Sequence, residues 1–163
     1  MSYPLCLYLH YVDPHSPYEA PEKFAKRFVD PHYKGKFTGN HRQLDKVISG
    51  RLQLGAADLK HLKDLYDAEI LYMDSQLELL FQALRQHDLM DDSVLLFLSD
   101  HGEEWMDHDS LLHGYTLYEE QLRGPLLIRD PRIERFQVES ISCQVDVLPT
   151  ILDLLAIPGP DSP

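Results

Sequence analysis

Cysteine is scarce: Cys6 and Cys143 are the only two in 163 residues. Two are too few for a disulfide framework or a thiolate zinc site, and they do not fix a redox compartment. Cys6 lies in an apolar strand pattern and reads as a small buried hydrophobe. No apolar run reaches transmembrane length. Met1 is followed by Ser-Tyr-Pro, without the basic start of a secretory leader. Positive charge is also scarce: 15 Lys and Arg against 27 Asp and Glu give a formal net charge of -12. That excludes the basic footprint of a nucleic-acid binder. It also opposes an anionic substrate, unless a metal ion or a local cluster of cations offsets the field. The chain has no Gly-rich phosphate loop, no Gly-x-Ser-x-Gly elbow, no zinc knuckle and no internal repeat.

What is present reads as one globular α/β domain, with 44% apolar and 26% charged residues. Leu5 to Val12 is nearly continuous in apolar residues, as for a strand buried on both faces. It ends in Asp13-Pro14-His15-Ser16-Pro17-Tyr18, where two prolines hold an extended, stiff turn. A short helix follows at Ala20 to Phe28, then a loop-rich excursion over 29–56 with a weak helix near Gln43 to Ser49. The clearest helix runs from Leu59 to His87 with Asp58 as N-cap. Its stripe is Leu59, Leu62, Tyr66, Ile70, Met73, Leu77, Leu80 and Leu84, at helical period. Val94 to Leu98 is the next buried strand. Strand, helix and strand in that order predict a parallel crossover unit. Gly124 to Arg129 reads as a further buried strand and Ser140 to Ser142 as a brief one. Gln144 to Ala156 reads as a helix that Pro149 kinks or restarts after Leu148.

The chemistry concentrates between Val94 and Tyr118. Ser99-Asp100-His101-Gly102 ends the apolar run, and ligands in open α/β sheets lie beyond the carboxyl ends of strands. A carboxylate beside an imidazole is a plausible half of a metal site, better suited to manganese or zinc than to calcium on donor type alone. The spacing is weak evidence by itself, and two ligands do not complete a site. His113, beside Gly114, reads as a structural histidine or as a proton donor or anion contact. Asp107 and His108 carry the same options with less support. Glu103 and Glu104 read as one structural and one solvated carboxylate. His15 gains weight from sharing a strand end with Asp100. Lys34, Lys36, His41 and Arg42 form a small basic cluster that reads as solvated.

Taken together these stretches resemble the sulfatase family of the alkaline-phosphatase superfamily. The resemblance rests on Leu9 to Tyr18, Tyr66-Asp67-Ala68-Glu69-Ile70 with Asp74, Ser99 to Glu103, His113 to Glu120, Arg123 to Leu126, and Asp146-Val147-Leu148-Pro149-Thr150. It is colinear and covers nearly the whole chain. It implies part of an alkaline-phosphatase-like parallel sheet flanked by helices. It implies that Asp100 and His101 are two ligands of a divalent cation, calcium first, with manganese or zinc as alternatives. It implies that His15 contacts the sulfate or phosphate group. His113 stands where many sulfatases have a lysine at the sulfate or leaving oxygen, as in relatives that include phospho-transferring members. The implied substrate is a sulfate ester, or a phosphate ester, of a small molecule or glycan.

The family's first metal-binding aspartates and its Cys-x-Pro-x-Arg nucleophile, matured to formylglycine, precede the strand matched by Leu5 to Val12. Neither Cys6 nor Cys143 stands in that motif. The expectation is therefore that 1–157 is the later, C-terminal portion of a sulfatase-type catalytic domain and 158–163 a linker to a missing segment. Alone it would have half a metal site, no nucleophile and no turnover. Competing readings are a phosphoester hydrolase or phospho-group transferase of the same superfamily, and a non-catalytic sulfatase-derived binding module. Localisation is open, since a leader would lie upstream.

Overall fold

The computed structural model describes residues 5–159. The expected chain start at 1–4 and the last four residues of the expected linker lie outside them. In chain order the elements are α1 (Glu22–Ala25), α2 (His41–Ile48), α3 (Ala56–Gln86), β1 (Leu95–Leu98), β2 (Glu104–Trp105), β3 (Leu111–Leu112), α4 (Glu119–Leu122), β4 (Leu126–Arg129), a 3-10 turn (Gln144–Asp146) and α5 (Val147–Leu154). The class is mixed α/β. No described helix is long and apolar enough to cross a membrane.

Helix α3 begins three residues before the expected start. Gly55 is its N-cap, and the Asp58 carboxylate accepts the Gly55 N–H at 3.3 Å. Asp58 thus closes the N-terminus from the third helical position. The core lies against the first half of α3. Leu62 meets Leu44 and Val47 of α2, Leu111 and Leu112 of β3, and Tyr18 and Phe37 from the preceding loops. Glu69, not Ile70, continues the inward face after Leu62 and Tyr66: Glu69 is 3% exposed and Ile70 38%. Pro149 sits in the first turn of α5, where a missing N–H costs little, and the 3-10 turn precedes that restart.

The sheets differ from expectation. β1 pairs antiparallel with β4, Leu95 opposite Arg129 through Leu98 opposite Leu126. β2 pairs antiparallel with β3. No parallel ladder occurs among the described residues. Leu5 to Val12 joins no ladder and is exposed throughout, with Leu5 75% accessible. A strand exists only through its neighbours' backbone groups, and none of the described strands pairs with this segment. Cys6 is exposed for the same reason, against the expected burial. β1 is half-buried and β4 largely exposed, so neither is the fully buried strand its composition suggested. The 13–18 turn bends rather than extends, and both its prolines follow cis peptide bonds. Residues 140–142 form no strand.

Candidate active site

Three loops meet beyond the carboxyl end of β1. The first is the turn carrying His15. The second is Ser99 to Glu103, directly after the strand. The third follows β3 and carries His113. The His113 ring lies 3.8 Å from the His101 ring and 5.3 Å from the His15 ring, centroid to centroid. Asp100 Oδ1 is 3.6 Å from His101 Nε2. Residues 98 positions apart in the chain, His15 and His113, are therefore neighbours here.

Each imidazole is held through Nδ1. His15 Nδ1 donates to the Ser16 carbonyl at 2.8 Å, and His101 Nδ1 to the Gly102 carbonyl at 2.7 Å. His113 Nδ1 donates to Glu103 Oε1 at 2.9 Å. In all three rings Nε2 is left as the free nitrogen. A metal-binding histidine commonly spends its other N–H on a carbonyl or carboxylate. His101 with the adjacent Asp100 carboxylate has that donor chemistry and fits a divalent cation. Among the described residues no three such side chains are arranged to hold an ion.

The turn around Asp100 is fixed by backbone contacts. The Ser99 hydroxyl bonds the His101 carbonyl, and the Gln144 amide reaches the Asp100 carbonyl. Gly102 is needed for close approach. Its N–H donates to the Gln121 carbonyl at 2.7 Å, and a Cβ there would stand 2.1 Å from the Glu120 carbonyl oxygen. Behind the loop, Glu104 is fully buried. It accepts from the His108 backbone at 3.1 Å, and from Thr116 and Gln121 at 2.8 Å each. Burial pushes its carboxyl up, but the Thr116, Gln121 and His108 hydrogen bonds outweigh this and hold it below the usual range. Of the two neighbouring glutamates neither is solvated: the Glu103 side chain is 6% exposed. His108 stacks on Tyr118 at 3.6 Å, and Asp107 accepts the Trp105 N–H; both shape the loop. Lys34, Lys36, His41 and Arg42 are exposed.

Two residues, Tyr18 and Glu69, were given no role by the sequence reading. Tyr18 donates to Glu103 Oε2 at 2.9 Å across 85 positions. Burial, then the Glu103 charge, pushes the Tyr18 phenol far up, so it keeps its proton. Glu103 therefore serves two partners, one per oxygen. Glu69 accepts the Glu19 backbone N–H at 2.5 Å, anchoring the far side of the His15 turn. Burial pushes the Glu69 carboxyl up to about 7, with the nearby Asp13 and Glu19 carboxylates adding to the rise. The one available signal was Glu69's position seven residues after Leu62, on the apolar stripe of α3.

The arrangement defines an α/β domain with three clustered histidines at a strand end. The family model described as Sulfatase matches residues 2–157, and the chain belongs to the sulfatase family. It is 28% identical over 165 residues to a protein named uncharacterized sulfatase YidJ of Escherichia coli (strain K12), covering 97% of this chain and 33% of that protein. It is 29% identical over 175 residues to an arylsulfatase of Clostridium perfringens (strain 13 / Type A), covering 99% of this chain and 36% of that one. A shorter stretch of 106 residues is 33% identical to arylsulfatase K of Homo sapiens, covering 64% of this chain and 20% of that protein. The chain thus spans about a third of the length of YidJ and the clostridial arylsulfatase, and less of arylsulfatase K.

Proposed function

We propose that residues 1–157 are the later portion of a sulfatase-type catalytic domain and that the complete protein hydrolyses sulfate esters. The observation that carries this is the convergence of His15, His101 and His113 beside Asp100, in a chain that matches the Sulfatase model from 2 to 157. The long apolar segment at Leu5 to Val12 and the exposed β1–β4 pair agree with it. In this reading they belong to a larger mixed sheet, β4 antiparallel to β1, whose other members lie outside this chain.

Asp100 and His101 would hold a divalent cation, calcium by resemblance to sulfatases. When bound, that cation supplies charge stabilisation for the ester oxygens and favours an ionised nucleophile. The nucleophile, formylglycine by resemblance, belongs to the preceding part of the domain. His15, its Nδ1–H held by the Ser16 carbonyl, would have to be an imidazolium to donate from Nε2 to an anionic oxygen of the sulfate. As an imidazolium, with Nδ1–H kept on Glu103, His113 would carry on Nε2 the proton that passes to the departing alcohol, and it would be left as the neutral Nδ1–H ring.

The test uses the complete protein and two probes, p-nitrophenyl sulfate and p-nitrophenyl phosphate. Turnover of the sulfate is expected, with a loss on the order of 100-fold in Asp100→Asn. The 163-residue chain alone is expected to turn over neither. Preference for the phosphate would replace this reading by phosphoester chemistry. Sulfate turnover by the chain alone that survives Asp100→Asn would overturn it.

A further inference from the structure

The His113 ring lies between two other imidazoles, His101 at 3.8 Å and His15 at 5.3 Å. The His101 contact, tilted by 33°, and the His15 contact, edge-on at 64°, are ring packing rather than hydrogen bonds, so they do not fix which His113 nitrogen carries the proton. A half-turn about the Cβ–Cγ bond exchanges the two nitrogens and leaves such packing nearly unchanged. Only an in-plane hydrogen bond selects one orientation. The group that makes one is Glu103, at 2.9 Å from His113 Nδ1.

Glu103 is itself held. Its second oxygen accepts from Tyr18 at 2.9 Å. Tyr18 is 3% exposed and packs edge-on against Tyr66 at 5.4 Å and against Trp105 at 5.9 Å. Its phenol has little freedom to move. Tyr18 also stands three residues after His15 in the same turn. The Tyr18–Glu103 bond therefore ties the His15 loop to the loop after β1, and Glu103 passes that tie to His113.

We propose that Glu103, anchored by Tyr18, is the positioning residue that fixes the orientation and tautomer of His113 and sets its place relative to His15. Glu103 touches no substrate in this scheme. It acts by committing the Nδ1 proton, so that Nε2 is the nitrogen left open to other partners. The same logic governs histidines held by a carboxylate in hydrolases of unrelated fold. The consequence for catalysis rests on the sulfatase reading; the tautomer assignment does not.

Two-bond proton–nitrogen correlation spectra of the imidazoles, recorded on the 15N-labelled complete protein with neutral rings and no substrate or metal, test this directly. The expected result is the Nδ1–H tautomer for His113 in the native protein. Glu103→Gln keeps an acceptor oxygen and is expected to keep that tautomer. Glu103→Leu removes it and is expected to shift His113 to the Nε2–H form that free imidazole favours. Tyr18→Phe keeps the aromatic packing and is expected to leave His113 a mixture of both forms. An Nε2–H tautomer in the native protein overturns the proposal, even if no variant folds. So does an unchanged Nδ1–H tautomer in Glu103→Leu with native circular dichroism. Because the readout involves no turnover, absence of sulfate hydrolysis in the complete protein would leave this result standing, and the reverse also holds.

Discussion

The Glu69 carboxylate and the Glu19 backbone N–H meet at 2.5 Å, fifty positions apart in the chain. Glu69 sits on the inward face of α3, 3% exposed, and its second oxygen has no hydrogen-bond partner among the described residues. A buried carboxylate with one oxygen unpaired is costly when ionised. It stands here because the helix stripe places it under the turn that carries His15.

That cost makes stability depend on pH. Burial raises the Glu69 carboxyl from 4.5 to about 7. Below about pH 4.5 the group is protonated whether folded or unfolded, and its favourable share is complete. Between there and about 7 the folded chain keeps a proton that the unfolded chain releases, so stability falls as pH rises. The expected loss is about 2–3 kcal/mol across the window. Urea midpoints at about pH 5 and about pH 8 measure it, and Glu69→Gln should flatten the difference. An equal slope in the variant would assign the pH dependence elsewhere.

Gly102 and Glu120 give a steric prediction. A methyl at Gly102 would overlap the Glu120 carbonyl oxygen, which is backbone and cannot rotate away. Gly102→Ala must displace α4 or the Asp100–His101 turn. The expected cost is about 1–3 kcal/mol, read from the chemical denaturation midpoint. An alanine variant of native stability would mean that the two loops are not packed as described.

Much of this was legible in the sequence, and the failures share a cause. α3 announced itself because its apolar spacing is local to one helix. The strand end just before Asp100 and His101 was legible because a continuous apolar run stops abruptly there. Leu5 to Val12 reads as a buried strand by composition, but its state depends on neighbours that the segment cannot encode. Ile70 was taken for the helix stripe because it is apolar, although Glu69 faces inward. Tyr18 and Glu103 meet across 85 positions, and no local pattern reports such a pair. The need for glycine at 102 comes from the backbone of Glu120 passing against it, a contact no local pattern reports.

Glu104 predicts a second stability effect of opposite sign in pH. It is fully buried with three donors around it. Glu104→Ala leaves Thr116, Gln121 and the His108 N–H without their acceptor. A loss of about 3 kcal/mol or more is expected, with loosening of the loop that carries His113. Because hydrogen bonding holds the Glu104 carboxyl below its usual value, its stabilising share is present above about pH 4.5 and fades as pH falls further. Thermal melts from neutral to acidic pH should show that acid limb in the native chain and not in the alanine variant.

The β1–β4 pair carries the last prediction. Leu127 is 58% exposed and Leu126 39%, on a strand with β1 along only one edge. Exposed apolar side chains beside an unpaired strand edge form a template for association. As a free polypeptide the 163-residue chain should self-associate and bind a hydrophobic dye. Leu127→Lys places a charge at the centre of that strand without removing a buried group. Its effect on the unfolding midpoint should stay within about 0.5 kcal/mol, while sedimentation shows a marked fall in associated species. Unchanged association would move the sticky surface away from β4 to the apolar segment at Leu5 to Val12. The matching substitution there, Leu7→Lys, would then have to abolish it.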